Sequence, residues 1–414
     1  MNSFGGKLST QAWMIAPETR KLLRALLEDG GEARFVGGCV RDALANRAVI
    51  DIDIATPLTP PEVIERLKRH EIPFAPTGLK HGTVTAIADG HPFEITTLRL
   101  DVLTFGRHAE VKFTDDWKTD ASRRDFTINA IFATPDGDLY DPFGGVEDLR
   151  LGRVRFVGDP EKRIREDTLR ILRFFRFHAH FGRGLPDGAA LRACAAAAGQ
   201  IPKLSGERIR QETMKLLESD RCAEVWRIML RSGVATHFLP EGTRAEALEN
   251  LVRLEISHGS TAYPLRRLAA LLDVTPNGME NISQALRLSN DQASQLNKMM
   301  DPGIEVSMEI GEDGVRKLVY RLGNDMARSL LLLAAARAGG EERLPTLYQT
   351  ATSFRAPRLP VLGDDVLAAG YEPGPDVGRA LGALEDWWLA GDFKPNRTEC
   401  LKKLETDFRH FHQK

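Results

Sequence analysis

Phe35-Val36-Gly37-Gly38-Cys39-Val40-Arg41-Asp42, followed by Ile50-Asp51-Ile52-Asp53-Ile54, decides how this chain is read. The first run is apolar until two glycines stop it, the pattern of a strand turning into a helix. The second alternates with period two, which predicts a strand. Residues i and i+2 of a strand share a face, so Asp51 and Asp53 would project together while Ile50, Ile52 and Ile54 pack behind. Adjacent carboxylates raise each other's pKa unless a cation sits between them. Mg²⁺ suits that place, because it takes hard oxygen ligands, commonly one or two carboxylates plus substrate phosphates. Two such ions can hold the attacking and leaving oxygens of a phosphoryl transfer. The plainer alternative is an edge strand with a solvated acidic face. Backbone N–H groups at Gly37 and Gly38 can cradle a phosphate, and Arg41 adds a cation. Here the alternative is a tight turn with Arg41 and Asp42 as surface charges. Both motifs fall within residues 37 to 53, and that proximity favours the phosphate reading.

The surroundings predict an α+β segment over residues 1–152. Leu22, Leu23, Leu26 and Leu27 give residues 18–28 helical spacing. Thr59-Pro60-Pro61 starts another helix, with Thr59 as cap. Residues 83–87 and 93–97 flank Asp89-Gly90, the signature of an antiparallel hairpin. Residues 98–122 are polar and turn-rich. Beyond about residue 153 helical patterns dominate, over 161–180, 187–198, 205–219, 221–231, 244–257, 263–273, 279–299, 310–337 and 362–390. Turn-rich candidates for boundaries are Gly158-Asp159-Pro160, residues 273–278 and residues 356–360. The expected division is 1–152, 153–215, 216–300 and 301–414.

Composition excludes several classes. Of 414 residues, 42% are hydrophobic and 28% charged, an ordinary globular balance. No apolar run reaches the roughly 18 residues of a membrane span, so no membrane partner is expected. The N-terminal residues lack the pattern of a secretory signal. Cys39, Cys194, Cys222 and Cys400 are widely spaced, which argues against a disulfide framework or zinc ribbon and for the cytoplasm. The net charge is −2, so any nucleic-acid contact must come from a local patch. Residues 151–183 supply one, with nine Lys/Arg against four acids.

Asp167 and Arg170 are i and i+3 on the predicted 161–180 helix, hence neighbours on one face. A carboxylate accepts and a guanidinium donates hydrogen bonds. Cytosine and adenine each present an amine donor beside a ring-nitrogen acceptor, which this pair can address. Guanine and uracil reverse the pattern, and unpaired buried groups discriminate strongly. An ordinary Glu166–Arg170 ion pair is the rival reading. Arg173 and Arg176 drift around the helix towards a triphosphate or an RNA backbone. Phe174, Phe175 and Phe177 read as core, and His178 and His180 diverge too far to form a metal pair. Arg124 and Asp125 can test a ribose 2′-OH, which donates and accepts, or form an interstrand ion pair. Glu94 is a possible further carboxylate at the metal side, or a structural acid.

Five ordered segments resemble the class II tRNA nucleotidyltransferases, the CCA-adding enzymes, and the related bacterial poly(A) polymerases. They are Gly37 to Asp42 with Asp51-Ile52-Asp53; Arg123-Arg124-Asp125-Phe126-Thr127-Ile128-Asn129-Ala130; Asp141-Pro142-Phe143-Gly144-Gly145 with Asp148-Leu149; Glu166-Asp167-Thr168-Leu169-Arg170 with Arg173 and Arg176; and Ser205-Gly206-Glu207-Arg208 with Glu212. The tail segment from Leu362-Gly363 to Gly374-Pro375 and Gly378 also looks familial. The resemblance implies a polymerase-β-type nucleotidyltransferase head and an elongated helical neck, body and tail. It implies addition of C and A to the tRNA 3′ end from CTP and ATP, with two Mg²⁺ ions at Asp51 and Asp53. Gly37, Gly38 and Arg41 would hold triphosphate, Arg124 and Asp125 the ribose, and Glu166, Asp167, Arg170, Arg173 and Arg176 the nucleotide. The 98–122 segment resembles the family's flexible loop. Arg267 to Asp273 lacks the His-Asp pair of the phosphohydrolase domain found in some members, so that activity is not expected. A poly(A) polymerase, or an enzyme adding only CC or only A, is the near alternative; the DFRHFHQK ending and the Gly-Pro tail segment lean towards tRNA. A non-catalytic RNA-binding protein is the more distant one.

Overall fold

The computed structural model describes residues 4–76, 78–105, 108–275 and 278–411. Pro276 and Asn277 of the expected 273–278 boundary, and His412 to Lys414 of the ending, lie outside them. The chain divides into two compact units, residues 1–243 with 280–288 and residues 244–279 with 289–414.

The first unit is built on an eight-stranded mixed sheet. Its strands are β1 (Phe4–Lys7), β2 (Arg34–Val36), β3 (Asp53–Thr56), β4 (Phe74–Ala75), β5 (Thr83–Ala88) and β6 (His91–Thr97), with two later ones. A separate antiparallel pair, β7 (Arg99–Phe105) and β8 (His108–Phe113), follows. β9 (Phe132–Ala133) and β10 (Asp138–Tyr140) rejoin the main sheet, whose order is β1-β10-β9-β2-β3-β6-β5-β4. Every pairing in it is antiparallel except β3 with β6. β5 and β6 form the hairpin that the sequence predicts, with Asp89 and Gly90 both at positive φ in its turn.

Alternation along the central strands sorts side chains between two cores. Phe35 and Ile54 enter one, with Leu22, Leu26, Val63 and Leu67 from the helices Pro17–Leu27 and Pro60–Arg69. Val36 and Ala55 enter the other, with Trp117, Ala121 and Phe132. Glu62 accepts from the Thr59 backbone N–H at 2.7 Å, closing the start of the second helix.

Several expectations are corrected. The acidic strand begins only at Asp53; Asp51 precedes it and Ile50 is 89% exposed. β2 ends at the glycine turn, and its described register with β3 runs only from Arg34–Ala55 to Phe35–Ile54. The 98–122 segment, read in the sequence as polar and turn-rich, carries the β7–β8 pair and a Trp117–Ser122 helix among its described residues. The 161–180 helix is two, Pro160–Glu166 and Arg170–Phe181, parted at Asp167, which is extended at φ −153° and ψ 108°. Its carboxylate accepts from the Leu169 N–H at 3.1 Å, a local bond that competes with the helical ladder. The three long C-terminal patterns also divide, into Met279–Ala285 and Asn290–Met300, Glu312–Leu322 and Asn324–Ala338, and Gly363–Ala368 and Pro375–Ala390.

In the second unit, Glu255 anchors a buried charge cluster. It accepts from Arg266 Nε at 2.8 Å and from Arg267 Nε at 2.7 Å.

Candidate active site

A cleft of about 610 Å³ opens in the first unit where β3, the glycine turn, residues 124–129 and the Arg170–Phe181 helix converge. Gly37, Gly38, Arg41, Asp53, Arg124, Asp125, Asp167, Arg170, Arg173 and Arg176 all line it. Lys215 and Arg208 join from the Gly206–Leu217 helix. Seven cationic side chains thus face three carboxylates, so the cleft attracts a polyanion. The near-neutral total conceals this because acids elsewhere in the chain balance these cations, and part of the 151–183 patch lies outside the cleft. Lys162, Arg163 and Glu166 line a separate cavity of about 320 Å³. The expectation that Glu166 shares the cleft with Asp167 is corrected: Glu166 lies on the last turn of the preceding helix and binds Arg163 and Arg170.

The glycine turn holds Gly37 at φ +69°, and a Cβ there would lie 3.3 Å from Arg124 Nη1. The following helix, Gly38–Leu44, is only two turns, so the cations dominate its modest dipole. Arg41 grips Asp42 through Nε at 3.0 Å and Nη2 at 2.9 Å, and its Nη1 donates to Asn129 Oδ1 at 2.6 Å. Burial lowers its pKa, but a guanidinium stays charged at any working pH.

Asp53 is half-buried, and its pKa is pushed up to about 6, first by burial and then by Glu94, with Asp51 adding to the effect against Arg124 and Arg41. Glu94 is its register partner across β3 and β6. Such crowded anions are relieved by a divalent cation, and the oxygen-only donor set of Asp51 and Asp53 fits Mg²⁺. Asp51 is exposed and is not among the residues lining the cleft. Among the described residues no three His, Cys, Asp or Glu side chains gather as a metal-holding group, so Glu94 does not complete a trio.

Arg124 and Asp125 do not pair with each other. Arg124 binds Asp120 at 3.1 Å. Asp125 accepts from Arg173 Nε at 2.7 Å and from Asn129 Nδ2 at 3.0 Å. Burial pushes the Asp125 carboxyl up, but Arg173 and Asn129 outweigh it and hold it well below the usual carboxylate range. Glu212 binds Arg176 at 3.1 Å; burial still lowers the Arg176 pKa to about 10. Phe174, Phe175 and Phe177 are core, as expected, and the Phe177 ring also carries the guanidinium of Arg176 at 4.4 Å.

The break at Asp167 overturns the single-face relation between Asp167 and Arg170, although both still line the cleft. Asp167 accepts from Arg208 Nη2 at 2.7 Å. Arg170 Nη1 donates to Glu166 at 2.6 Å and to the Arg163 carbonyl at 2.9 Å, as the rival reading of that pair expects. His180 Nε2 meets the Lys215 carbonyl at 2.6 Å, while burial lowers the His178 pKa to about 4; the two share no ligand. Sequence reasoning missed Asp120, and it quoted Asn129 within a motif without its partners, which come from tertiary folding rather than from spacing.

Residues 33–155 match the Poly A polymerase head domain, and residues 187–246 match the probable RNA and SrmB-binding site of polymerase A. The mitochondrial CCA tRNA nucleotidyltransferase 1 of Danio rerio is 34% identical over 380 residues, 90% of this chain and 87% of the relative. This chain belongs to the CCA tRNA nucleotidyltransferase family. The CCA-adding enzyme of Limosilactobacillus fermentum is 31% identical, across 92% of this chain and 95% of its own. The Bacillus stearothermophilus CCA-adding enzyme, solved with CTP, superposes with a TM-score of 0.76 at 28% identity, covering 96% of this chain and 98% of its own. Members of this nucleotidyltransferase family generally use divalent metal ions, in keeping with the acids at the cleft. Among the described residues, no helix is long and apolar enough to cross a membrane.

Proposed function

We propose that this chain adds C and A to the 3′ end of tRNA from CTP and ATP, with no nucleic-acid template, releasing pyrophosphate. The observation that carries the reading is one cleft joining Asp53, a surplus of cations, and the Asp167–Arg170 pair. The names of its relatives support it.

In the reaction the tRNA 3′-oxygen bonds to the α-phosphorus, and the bond from that phosphorus to pyrophosphate breaks. Asp51 and Asp53 would hold two Mg²⁺ ions, which when bound activate the attacking hydroxyl and neutralise the leaving group. Arg41, beside the open glycine turn, steadies the triphosphate, with Arg173 and Arg176 adding charge. Arg124 and Asp125 face the ribose. Asp167 accepts from the amine of C or A, and Arg170 donates to the adjacent ring nitrogen. Residues 153–215 serve as a neck and 216–300 as a body. Residues 301–414 grip tRNA by shape and phosphate contacts. We place the chain in a reducing cytoplasm, which suits four widely spaced, buried cysteines.

The test offers the protein tRNA ending before CCA, ending after CC, and complete, plus an unrelated RNA, each with single nucleoside triphosphates. Addition of CC and then A to tRNA alone supports the proposal. Long A tracts on any RNA would mark a poly(A) polymerase, and addition of only CC or only A would narrow the activity. Incorporation that survives Asp51→Ala with Asp53→Ala would refute the metal assignment.

A further inference from the structure

We infer that Arg47 is a positioning residue for the incoming nucleotide. It latches the far end of the Arg170–Phe181 helix to the short helix that carries Arg41, and so sets the span between triphosphate and base. The inference rests on the function proposed above.

The placement of Arg47 begins in the backbone. The Gly38–Leu44 helix runs out into Asn46, which sits at φ +54°. The Asn46 N–H donates to the Ala43 carbonyl at 3.1 Å, and the Arg47 N–H donates to the Asp42 carbonyl at 2.8 Å. Those two bonds make a Schellman turn, whose left-handed position asparagine tolerates better than most side chains. The turn fixes where the chain leaves the helix, and with it the root of the Arg47 side chain.

Arg47 then crosses to the Arg170–Phe181 helix. Its Nη2 donates to the His180 carbonyl, one of the last carbonyls of that helix, which have no partner within it. A cation there also meets the negative pole of the helix dipole. The Arg47 guanidinium carbon lies 4.4 Å from the centre of the Phe181 ring, and that of Arg41 lies 4.5 Å from the same point. One ring at the helix end therefore carries both arginines, each within reach of a cation–π contact. His180 is held a second time, its Nε2 donating to the Lys215 carbonyl at 2.6 Å.

Arg41, Arg170 and Lys215 line the cleft, whereas Arg47 does not. Arg47 therefore acts through the helix end that it holds. Arg170 stands at the start of that helix and Phe181, at its finish, lies against Arg41. A nucleotide that engages Arg41 and Arg170 together binds best when their separation is fixed before it arrives. Arg47 is exposed, so its removal disturbs this span while leaving the core packed.

The experiment measures KM and kcat for CTP on tRNA lacking CCA and for ATP on tRNA ending in CC, with the KM for each tRNA. It uses the full chain, Arg47→Ala, Arg47→Lys, Phe181→Leu and the combined Arg47→Ala with Phe181→Leu. CTP affinity by calorimetry and thermal unfolding are followed alongside. Arg47→Ala should raise the KM for both nucleotides about fivefold or more, with kcat and the KM for tRNA nearly unchanged. Arg47→Lys should lose less, since an ammonium can still donate to the His180 carbonyl. The combined variant should lose less than the product of the two single losses, because both changes open one latch. Arg47→Ala, at an exposed position, carries the test if Phe181→Leu fails to fold. An unchanged nucleotide KM in Arg47→Ala, single losses that multiply, or a matching rise in the KM for tRNA overturns the inference. A wild-type chain that adds neither C nor A is a failure of the proposed function itself, and the CTP affinities of wild type and Arg47→Ala still test the latch.

Discussion

Arg208 reaches Asp167 at 2.7 Å from a helix forty-one positions along the chain. The contact holds one oxygen of Asp167 while the other accepts from the Leu169 N–H. Both oxygens are therefore oriented before any base arrives, and orientation of this kind sharpens selection.

Arg208→Ala should consequently loosen base choice rather than abolish transfer. We expect incorporation of U and G to rise about tenfold relative to C and A, with Arg208→Lys intermediate, since an ammonium keeps the charge but not the fork. Single-nucleotide incorporation with each triphosphate checks this. Unaltered selectivity in Arg208→Ala would remove the bracing role.

Asp53 makes a prediction about stability. Its folded pKa, about 6, lies above its ordinary value, so between about pH 4 and pH 6 the folded state holds more proton than the unfolded. Stability from this group is thus present at low pH and lost as pH rises through 6. Asp53→Asn should stabilise the metal-free protein by up to about 2 kcal/mol at pH 7.5 and by almost nothing near pH 4. Saturating Mg²⁺ should reverse the order at pH 7.5, because a bound cation stabilises only the ionised wild type. Denaturant titrations at the two pH values, with and without Mg²⁺, test it; a gain independent of pH would contradict the assignment.

Gly145 sits where a Cβ would lie 2.1 Å from the Thr127 carbonyl oxygen. Gly145→Ala must push apart the 127–129 turn and the helix packed on it. A loss above about 2 kcal/mol is expected, with activity down tenfold or more because Asn129 moves with the turn. Gly382, inside the Pro375–Ala390 helix with open space around it, should behave oppositely: Gly382→Ala should gain about 0.5–1 kcal/mol. Chemical unfolding midpoints of the two variants give the comparison.

In the second unit, Glu255 and Arg267 are each 1% exposed, with Arg266 beside them. Removing one member of such a cluster strands buried charge. Glu255→Ala should cost about 3–5 kcal/mol, well beyond what its volume explains. A loss below about 1 kcal/mol in denaturant unfolding would mean that water reaches the guanidiniums.

The parts legible in sequence were those fixed locally. The Asp89-Gly90 hairpin and the glycine turn follow from short-range rules, whereas the period-two run pointed to the acidic strand but misplaced its start, which is Asp53. Tertiary choices were hidden. Apolar spacing continues through Asp167, so periodicity alone merges two helices, whereas Asp167 is extended, with its carboxylate bonded to the Leu169 N–H and to Arg208. Gly323, at φ +82°, divides another pattern in the same silent way. Arg41 and Asn129 are eighty-eight positions apart, and nothing in either segment announces their bond. The motifs named most of the cleft's lining, while the pairings among those residues needed coordinates.

The most direct test of the account is base choice at Asp167 itself. Its carboxylate accepts from an amine, whereas an amide can turn a donor towards the carbonyl of uracil. The measurement is kcat/KM for CTP and UTP on tRNA lacking CCA, in wild type and Asp167→Asn. The account predicts that the preference for CTP over UTP falls at least a hundredfold. Wild-type preference in Asp167→Asn would show that the base is chosen elsewhere.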